Sequence, residues 1–381
     1  MNDKKLSAVL YITPISPSLV GGGNIHCYSN LKALCEYPEI VVDYVGPPIV
    51  SNITDFKNLR ILHARNYRVL DKLYAAFTMS ATSLKGIFIE LEKDIGKKYS
   101  LCFVEFSKAG FIFNTIGKET KTICCFHNVE ADYSRINNRG TSRLATAYIR
   151  KSERLSLQLS DHVLVMHKDD LRRLVEIYHV YNNDKYYIHP VCYPNSLVLP
   201  LKLSEREKYV LIPGSLSEPF NSQGVITFIE KCWPALYKAG IQLVVAGRNP
   251  HEELRKKVKG KDITLIVNPE SMTDIVRRAR VVVVPDKYGL GMKLRVAEAM
   301  SYGVPVVGTK LGLRGYGDDI SFGITVDSIE EMADPIKEII CNDDKASYFM
   351  LAARKEWENN YSYHQFRNRL HSWIKLWLDN N

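Results

Sequence analysis

The chain has 381 residues, of which 46% are hydrophobic and 24% charged, an ordinary folded composition long enough for two domains of about 150 residues each. No run approaches the roughly 20 apolar residues that a membrane-crossing helix needs. A net charge of +9 suits nucleic acid, an anionic membrane face or phosphorylated substrates, but aromatic residues are not interleaved with the basic ones, which argues against nucleic acid.

The opening MNDKKLSAVLYITPISPS has a short apolar run without a long apolar core or a small-residue cleavage site. It reads as a first buried strand, Ala8–Thr13, rather than a signal peptide. Gly21, Gly22 and Gly23 follow, then a helix from about Asn24 to Leu34. A triple glycine between strand and helix has the shape of a phosphate loop, and equally of a flexible connector. Strands are predicted at Ile40–Val45 and Leu59–Ala64. Residues 65–98 form two helices with mixed basic and aromatic faces, suited to an acceptor groove, to a membrane surface or to ordinary packing.

Strands at Leu101–Phe106 and Thr122–Phe126 come next, and the second delivers His127 into FHNVEADYSR. Ligands of open α/β sheets bind at that carboxyl edge, although a lone histidine is more often structural. Glu130 is a further candidate in the same turn. A long helix over Ala145–Leu159, a strand at Asp161–Met166, a helix at Lys168–Val180 and a strand at Tyr187–Val191 complete the first half. Pro190, Pro194 and Pro200 mark a linker, with a domain boundary near 200.

The second half restarts with a strand at Tyr209–Pro213 leading to Gly214 and Ser215. Asn221 or Ser222 is placed to cap a helix over Gln223–Ala239. Strands at Ile241–Ala246, ending in Gly247 and Arg248, and at Ile263–Val267 precede a helix at Met272–Ala279. Strands alternating with helices at this rhythm predict a second Rossmann-like domain. Asp327–Cys341, Lys345–Tyr361 and His364–Leu378 read as closing helices. The cysteines, Cys27, Cys35, Cys102, Cys124, Cys125, Cys192, Cys232 and Cys341, show no CxxC pair and no zinc spacing, so buried free thiols in a reducing, cytoplasmic compartment are expected.

The most informative stretch is VVVVPDKYGLGMKLRVAEAMSYGVPVVGTKLGLRGYG, residues 281–317. It reads as strand, glycine turn at Gly289 and Gly291, helix from Met292 to about Tyr302, and strand Val304–Thr309. A glycine turn opening a helix favours phosphate through unpaired N–H groups and the helix dipole. Lys293 and Arg295 lie near that positive end, where they can meet a diphosphate. The Glu298 carboxylate can accept two ribose hydroxyls or pair with Arg295 three positions earlier. Neither GxGxxG nor GxxxxGKS is present, which argues against a nicotinamide oxidoreductase and a P-loop nucleotidase.

Glu298, Ala299, Met300, Gly303, Pro305, Val306 and Val307 resemble the E-A-M-x-x-G-x-P-V-V signature of retaining GT-B glycosyltransferases of family 4, the glycosyl transferases group 1. The resemblance implies two Rossmann-like domains facing across a cleft. Residues 1–200 would form the acceptor side and 201–360 the nucleotide-sugar side, with a 361–381 helix packing back on the first. It implies His127, Lys293 and Arg248 as catalytic groups. Donor contacts would come from Gly22, Gly23, Gly214, Ser215, Asn221, Gly247, Gly289, Gly291, Met292, Leu294, Arg295 and Glu298. It further implies metal-independent transfer without a cofactor, from a nucleoside diphosphate sugar to a glycan or lipid-linked acceptor at the inner membrane face. Three positions depart from the family pattern. Leu290 stands where a first glutamate is usual, and Ser215 and Gln223 stand where an Arg and a Lys meet the diphosphate. These departures keep open a nonenzymatic nucleotide- or glycan-binding protein, and a sugar-nucleotide epimerase is a further option.

Overall fold

The computed structural model describes residues 7–50, 56–95, 99–137, 143–180, 183–194, 198–217 and 219–379. The chain forms two compact units, Met1–Pro190 with Phe366–Asn381, and Val191–Gln365. Each is built on a parallel sheet.

In the first unit the strands are β1 (Ser7–Ile12), β2 (Ile40–Gly46), β3 (Leu59–Ala64), β4 (Leu101–Glu105), β5 (Lys121–Phe126), β6 (His162–Val165) and β7 (Tyr186–Ile188). Their order is β3-β2-β1-β4-β5-β6-β7. Alternate residues serve opposite faces. Leu10, Ile12, Cys102 and Val104 join one apolar core, whereas Val9, Tyr11, Leu101 and Phe103 join the other. Both faces are covered, which is why these strands read as nearly continuous apolar runs. The second core also takes Leu370, Ile374 and Trp377 from the Tyr363–Asp379 helix. Trp377 stacks on His162 with ring centroids 4.7 Å apart. From Phe366 onward the C-terminal helix is thus an element of the first unit.

In the second unit the strands are β8 (Tyr209–Ser215), β9 (Gln242–Arg248), β10 (Ile263–Val267), β11 (Val281–Val284), β12 (Val306–Thr309) and β13 (Gly323–Val326), ordered β10-β9-β8-β11-β12-β13. In both sheets the fourth strand in sequence lies beside the first, so chain order reverses direction there. Such a switch leaves a crevice at the carboxyl ends of the strands.

Where the sequence predicts one helix over Gln223–Ala239, the chain forms two, Pro219–Lys231 and Trp233–Lys238. Pro234 lacks an N–H and clashes with the carbonyl four residues back, so the first helix cannot run through it. Ser222 does not cap that helix; its hydroxyl donates to the Leu216 carbonyl at 2.7 Å. The Asn221 side chain lies outside the described ones. Gly224 sits where this helix meets the end of β11: a Cβ there would stand 2.0 Å from the Pro285 carbonyl oxygen. Only glycine permits that approach. Strand β13 is not predicted from sequence; its four residues GITV offer too short a run for periodicity to register. All eight cysteines are free, and only Cys341 is exposed.

Candidate functional site

The first unit gathers a polar cluster where β1, β4 and β5 end. Glu105 closes β4 and is fully buried. Its neighbour strand β5 hands the chain to His127, which is 4% exposed. The His127 Nε2 lies 2.6 Å from Glu105 Oε2. The other carboxylate oxygen accepts from the Tyr11 hydroxyl and the Asn30 amide, both at 2.8 Å. Burial pushes the Glu105 carboxyl upward, but the His127 hydrogen bond and charge, with His26 and Tyr11, outweigh it and leave the carboxyl below its ordinary value. An ionised Glu105 makes His127 Nε2 a donor. His127 Nδ1 is buried without a hydrogen-bond partner, and it lies 3.7 Å from where a Cβ on Gly23 would stand. The imidazole therefore turns its free nitrogen toward the glycine loop.

Phe106 holds this ring from the other side, with centroids 3.8 Å apart and planes 18° from parallel. Its φ of 68° is in the left-handed region, unfavourable for an aromatic residue and a form of strain that concentrates at functional positions. Gly22 and Gly23 open the Gly22–Cys35 helix. Glu130 is not free for a ligand in this structure, since it pairs with Lys108 at 2.6 Å. Glu153, elsewhere in the unit, accepts the Glu130 and Ala131 N–H groups at 2.8 and 2.9 Å and anchors the start of the Glu130–Asn137 helix.

His26 and Cys125 also lie beside His127, and the ligand atoms of these three are within 4.8 Å of one another, as are those of Cys27, Glu105 and His127. Burial holds both thiols far above their ordinary pKa. A metal would require the thiolate, and the His127 Nε2 already serves Glu105. With Glu105 ionised and held by three donors, the cluster suits a hydrogen-bonded core better than a metal centre.

The second unit gathers the other predicted residues around Asp286, which follows β11 and is 7% exposed. Arg295 donates to Asp286 through Nη2 and to the Pro213 carbonyl through Nη1 at 3.3 Å. Lys293 Nζ donates to the Leu290 and Gly291 carbonyls at 3.0 and 3.2 Å and lies 3.8 Å from Asp286 Oδ2. Gly289 and Gly291 take φ of 114° and 67°, which lets the chain fold back so that Lys293 reaches those carbonyls. The helix itself is Leu294–Ser301, later in starting than the sequence predicts, with no acidic residue in its first turn and no side-chain cap. Met292 and Leu294 are partly exposed at this opening.

Glu298 does not pair with Arg295. Its Oε1 accepts from the Tyr193 hydroxyl at 3.0 Å. Burial pushes its carboxyl up to about 7, and the Tyr193 hydrogen bond offsets part of that rise. Gly214 lies within this group, since a Cβ there would be 2.6 Å from Arg295 Nη1. Ser215 and Arg248 are register partners at the ends of β8 and β9, next to Gly214 and Gly247; both are exposed. Arg248 has no described contact to Lys293, Arg295 or Glu298.

Three functional candidates were not singled out from sequence: Glu105, Asp286 and Tyr193. The first two are acids at the carboxyl ends of predicted strands, and that placement is the signal that could have marked them. Tyr193 lies in the proline-rich linker and carried no signal.

Comparison with known proteins follows the same outline. Residues 207–342 match the family described as Glycosyl transferases group 1. The fold matches GT-B glycosyltransferase structures over nearly the whole chain. Sucrose-phosphate synthase from Thermosynechococcus elongatus superposes with a TM-score of 0.74 at 14% identity, covering 98% of this chain and 100% of that one. TarM of S. aureus gives 0.72 at 13% identity, with 99% and 100% coverage. Anabaena HepE in complex with UDP and glucose gives 0.68 at 10% identity, with 97% and 99% coverage. A stretch of 118 residues is 34% identical to a 44.6 kDa protein in the cps region of Klebsiella pneumoniae, spanning 28% of this chain and 30% of that protein.

Two outcomes test the site. Folding keeps the Glu298 proton up to about pH 7, whereas the unfolded chain releases it near the ordinary pKa of about 4.3. The unfolded state thus binds fewer protons between those values, and stability falls as pH rises through them. Urea unfolding at pH 5 and pH 8 will show that fall reduced in Glu298→Gln, by roughly 1–3 kcal/mol relative to the wild type. Glu105→Ala will lose about 3–5 kcal/mol in the same measurement, because it strands the His127, Tyr11 and Asn30 donors in the core.

Proposed function

We propose that this chain is a glycosyltransferase that moves a sugar from a nucleoside diphosphate sugar to a glycan or lipid-linked acceptor, with retention at the anomeric carbon. The observation that carries the reading is the Glu298 carboxyl beside Tyr193 on the same helix whose uncapped start bears Lys293 and Arg295. A ribose diol and a diphosphate call for those two features: an acceptor for hydroxyls, and N–H donors with cations for phosphate. The family match over the second unit and the UDP found in HepE support the same ligand class.

Each unit then has its task. The second unit holds the nucleotide through Glu298, and the diphosphate through Lys293, Arg295 and the helix amino end, with Ser215 and Arg248 at its margin. The first unit contributes His127 as a contact to the transferred sugar, with Glu105 setting which ring nitrogen carries the proton. Retentive transfer demands stabilisation of the departing diphosphate as the anomeric carbon gains oxocarbenium character, by analogy with glycoside cleavage. Preorganised donors supply that stabilisation without reorganisation during the reaction. The departing phosphate takes the acceptor proton, so no dedicated carboxylate base is required, and no metal enters this scheme. The cps-region relative supports cell-surface polysaccharide assembly as the setting, and we place that assembly at the inner membrane face.

One observation favours a second reading, a binding protein without turnover. Asp286 engages both Lys293 and Arg295, and the usual Arg and Lys are replaced by Ser215 and Gln223. The diphosphate must therefore compete with Asp286 for its cations.

Thermal shift against UDP, GDP, ADP, dTDP and CMP tests the site. One diphosphate at about 100 times its Kd adds roughly 2.7 kcal/mol of stability. Glu298→Ala will weaken that nucleotide at least about tenfold, or 1.4 kcal/mol. Full affinity in the variant refutes the site. Slow hydrolysis of the matching sugar nucleotide without acceptor marks an enzyme, and binding with no hydrolysis or transfer marks the second reading.

A further inference from the structure

Exposed large apolar side chains concentrate on one short helix of the first unit, Val69–Phe77. Val69, Leu70 and Phe77 are 71%, 72% and 86% exposed, and Leu73, Tyr74 and the adjoining Met79 are exposed too. At 100° per residue, positions 69, 70, 73, 74 and 77 occupy a single arc of the helix. The opposite arc is the one that packs. Asp71 and Ala75 are buried there, and a Cβ on Gly86 of the neighbouring Leu84–Ile95 helix would stand 2.6 Å from Asp71 Oδ1. The apolar arc is therefore displayed by a helix that is already firmly seated.

The charges complete the pattern. The helix has one acid, Asp71, and it is turned inward, accepting from Arg65 Nη1 at 2.5 Å and from the Arg68 N–H at 2.6 Å. The outward charges of this element are cationic: Arg68, whose side chain is 64% exposed, and Lys72, exposed and without an acidic partner among the described residues. Glu90, on the neighbouring helix, is engaged by Arg65 at 3.0 Å and approached by Arg68 at 3.9 Å. The helix is nine residues long, and no helix of the described residues is long and apolar enough to cross a membrane. A short helix with an apolar arc bordered by cations has the chemistry of an element lying in the plane of an anionic bilayer. Just before it, the Tyr67 hydroxyl donates to the Pro14 carbonyl at 2.7 Å, which roots this surface at the exit of β1, on the chain that leads into the glycine loop.

We propose that the Val69–Phe77 helix is a membrane-docking element that inserts Leu70, Leu73 and Phe77 into an anionic lipid surface while Arg68 and Lys72 meet the phosphate headgroups. This deepens the membrane setting of the proposed function, yet it is read without donor or acceptor.

The test is co-sedimentation of the full chain with vesicles of phosphatidylcholine containing about one-third phosphatidylglycerol, against phosphatidylcholine alone. Wild type sediments with the anionic vesicles and far less with the neutral ones. The double variant Leu73→Asp with Phe77→Asp binds at least about tenfold more weakly, Lys72→Glu binds more weakly, and added salt weakens the wild type. The substituted side chains are exposed, so both variants keep the wild-type unfolding temperature and the thermal shift with UDP. A loss of UDP binding in wild type counts against the nucleotide site and leaves this surface standing. No binding of the wild type to anionic vesicles overturns the proposal, as does undiminished binding by the double variant. Sedimentation velocity showing a dimer that the double variant dissolves also overturns it, by assigning the face to a second copy.

Discussion

A parallel strand covered on both faces leaves an unpaired charge no side on which to rest, so most of its polar chemistry gathers where it ends. That constraint orders both units. In the first, Val9, Leu10, Tyr11 and Ile12 are all fully buried, and the polar groups begin with Thr13, one residue past the Ile12–Val104 pair, as Glu105 is; His127 stands two residues beyond Cys125, the register partner of Glu105 on β5. In the second, Val281–Val284 are all fully buried, and Asp286 comes two residues later. Its carbonyl accepts from Thr309 at the end of β12, at 2.7 Å. Strand order places such ends side by side at the point where chain order reverses, and that alone concentrates polar side chains.

Concentration creates an electrostatic problem that each unit solves with a buried acid. Glu105 sits in a region where burial opposes charge, and three hydrogen bonds from Tyr11, Asn30 and His127 hold it ionised. The consequence is directional: one nitrogen of His127 is committed inward and the other is left toward Gly23. Asp286 does the converse, collecting two cations that would otherwise repel each other across a short helix turn. In the proposed reaction this keeps Lys293 and Arg295 in place before the diphosphate arrives. It also lowers the net gain when they turn to it, since one acidic partner is exchanged for another. The Glu298 carboxyl, pushed up to about 7, is the third acid of the set, with the Tyr193 hydroxyl as its described partner, which fits the nucleotide contact proposed for it.

The same economy of partners sets the Val69–Phe77 helix apart. Its buried side is occupied by Asp71, Ala75 and the approach at Gly86, while Val69, Leu70, Leu73, Tyr74 and Phe77 on its apolar side are exposed. Helices elsewhere in the unit bury the corresponding arc: Leu370, Ile374 and Trp377 of the last helix are at most 2% exposed. The difference lies in what covers each helix, since the sequences of both are comparably amphipathic.

How much was legible follows from where each feature's cause resides. The β-branched runs, the glycine turn at Gly289 and Gly291, and the strand–turn–helix–strand order of 281–309 are properties of the local chain, and they specify two parallel α/β units without any knowledge of contacts. Local rules also explain the break before Pro234, which the residue itself announces. The pairings are different in kind. Tyr193 meets Glu298, Asn30 meets Glu105, and Asp286 rather than Glu298 takes Arg295, and each choice depends on strand order and on which helix crosses which sheet edge. Residues 75 or 105 positions apart become neighbours only through those crossovers. The sequence by itself determined the fold class and the positions where chemistry could gather. Tertiary structure decided which acid holds which cation, which nitrogen of His127 is free, and which apolar helix face is left uncovered, because hydrogen bonds and burial depend on through-space neighbours that no local pattern records.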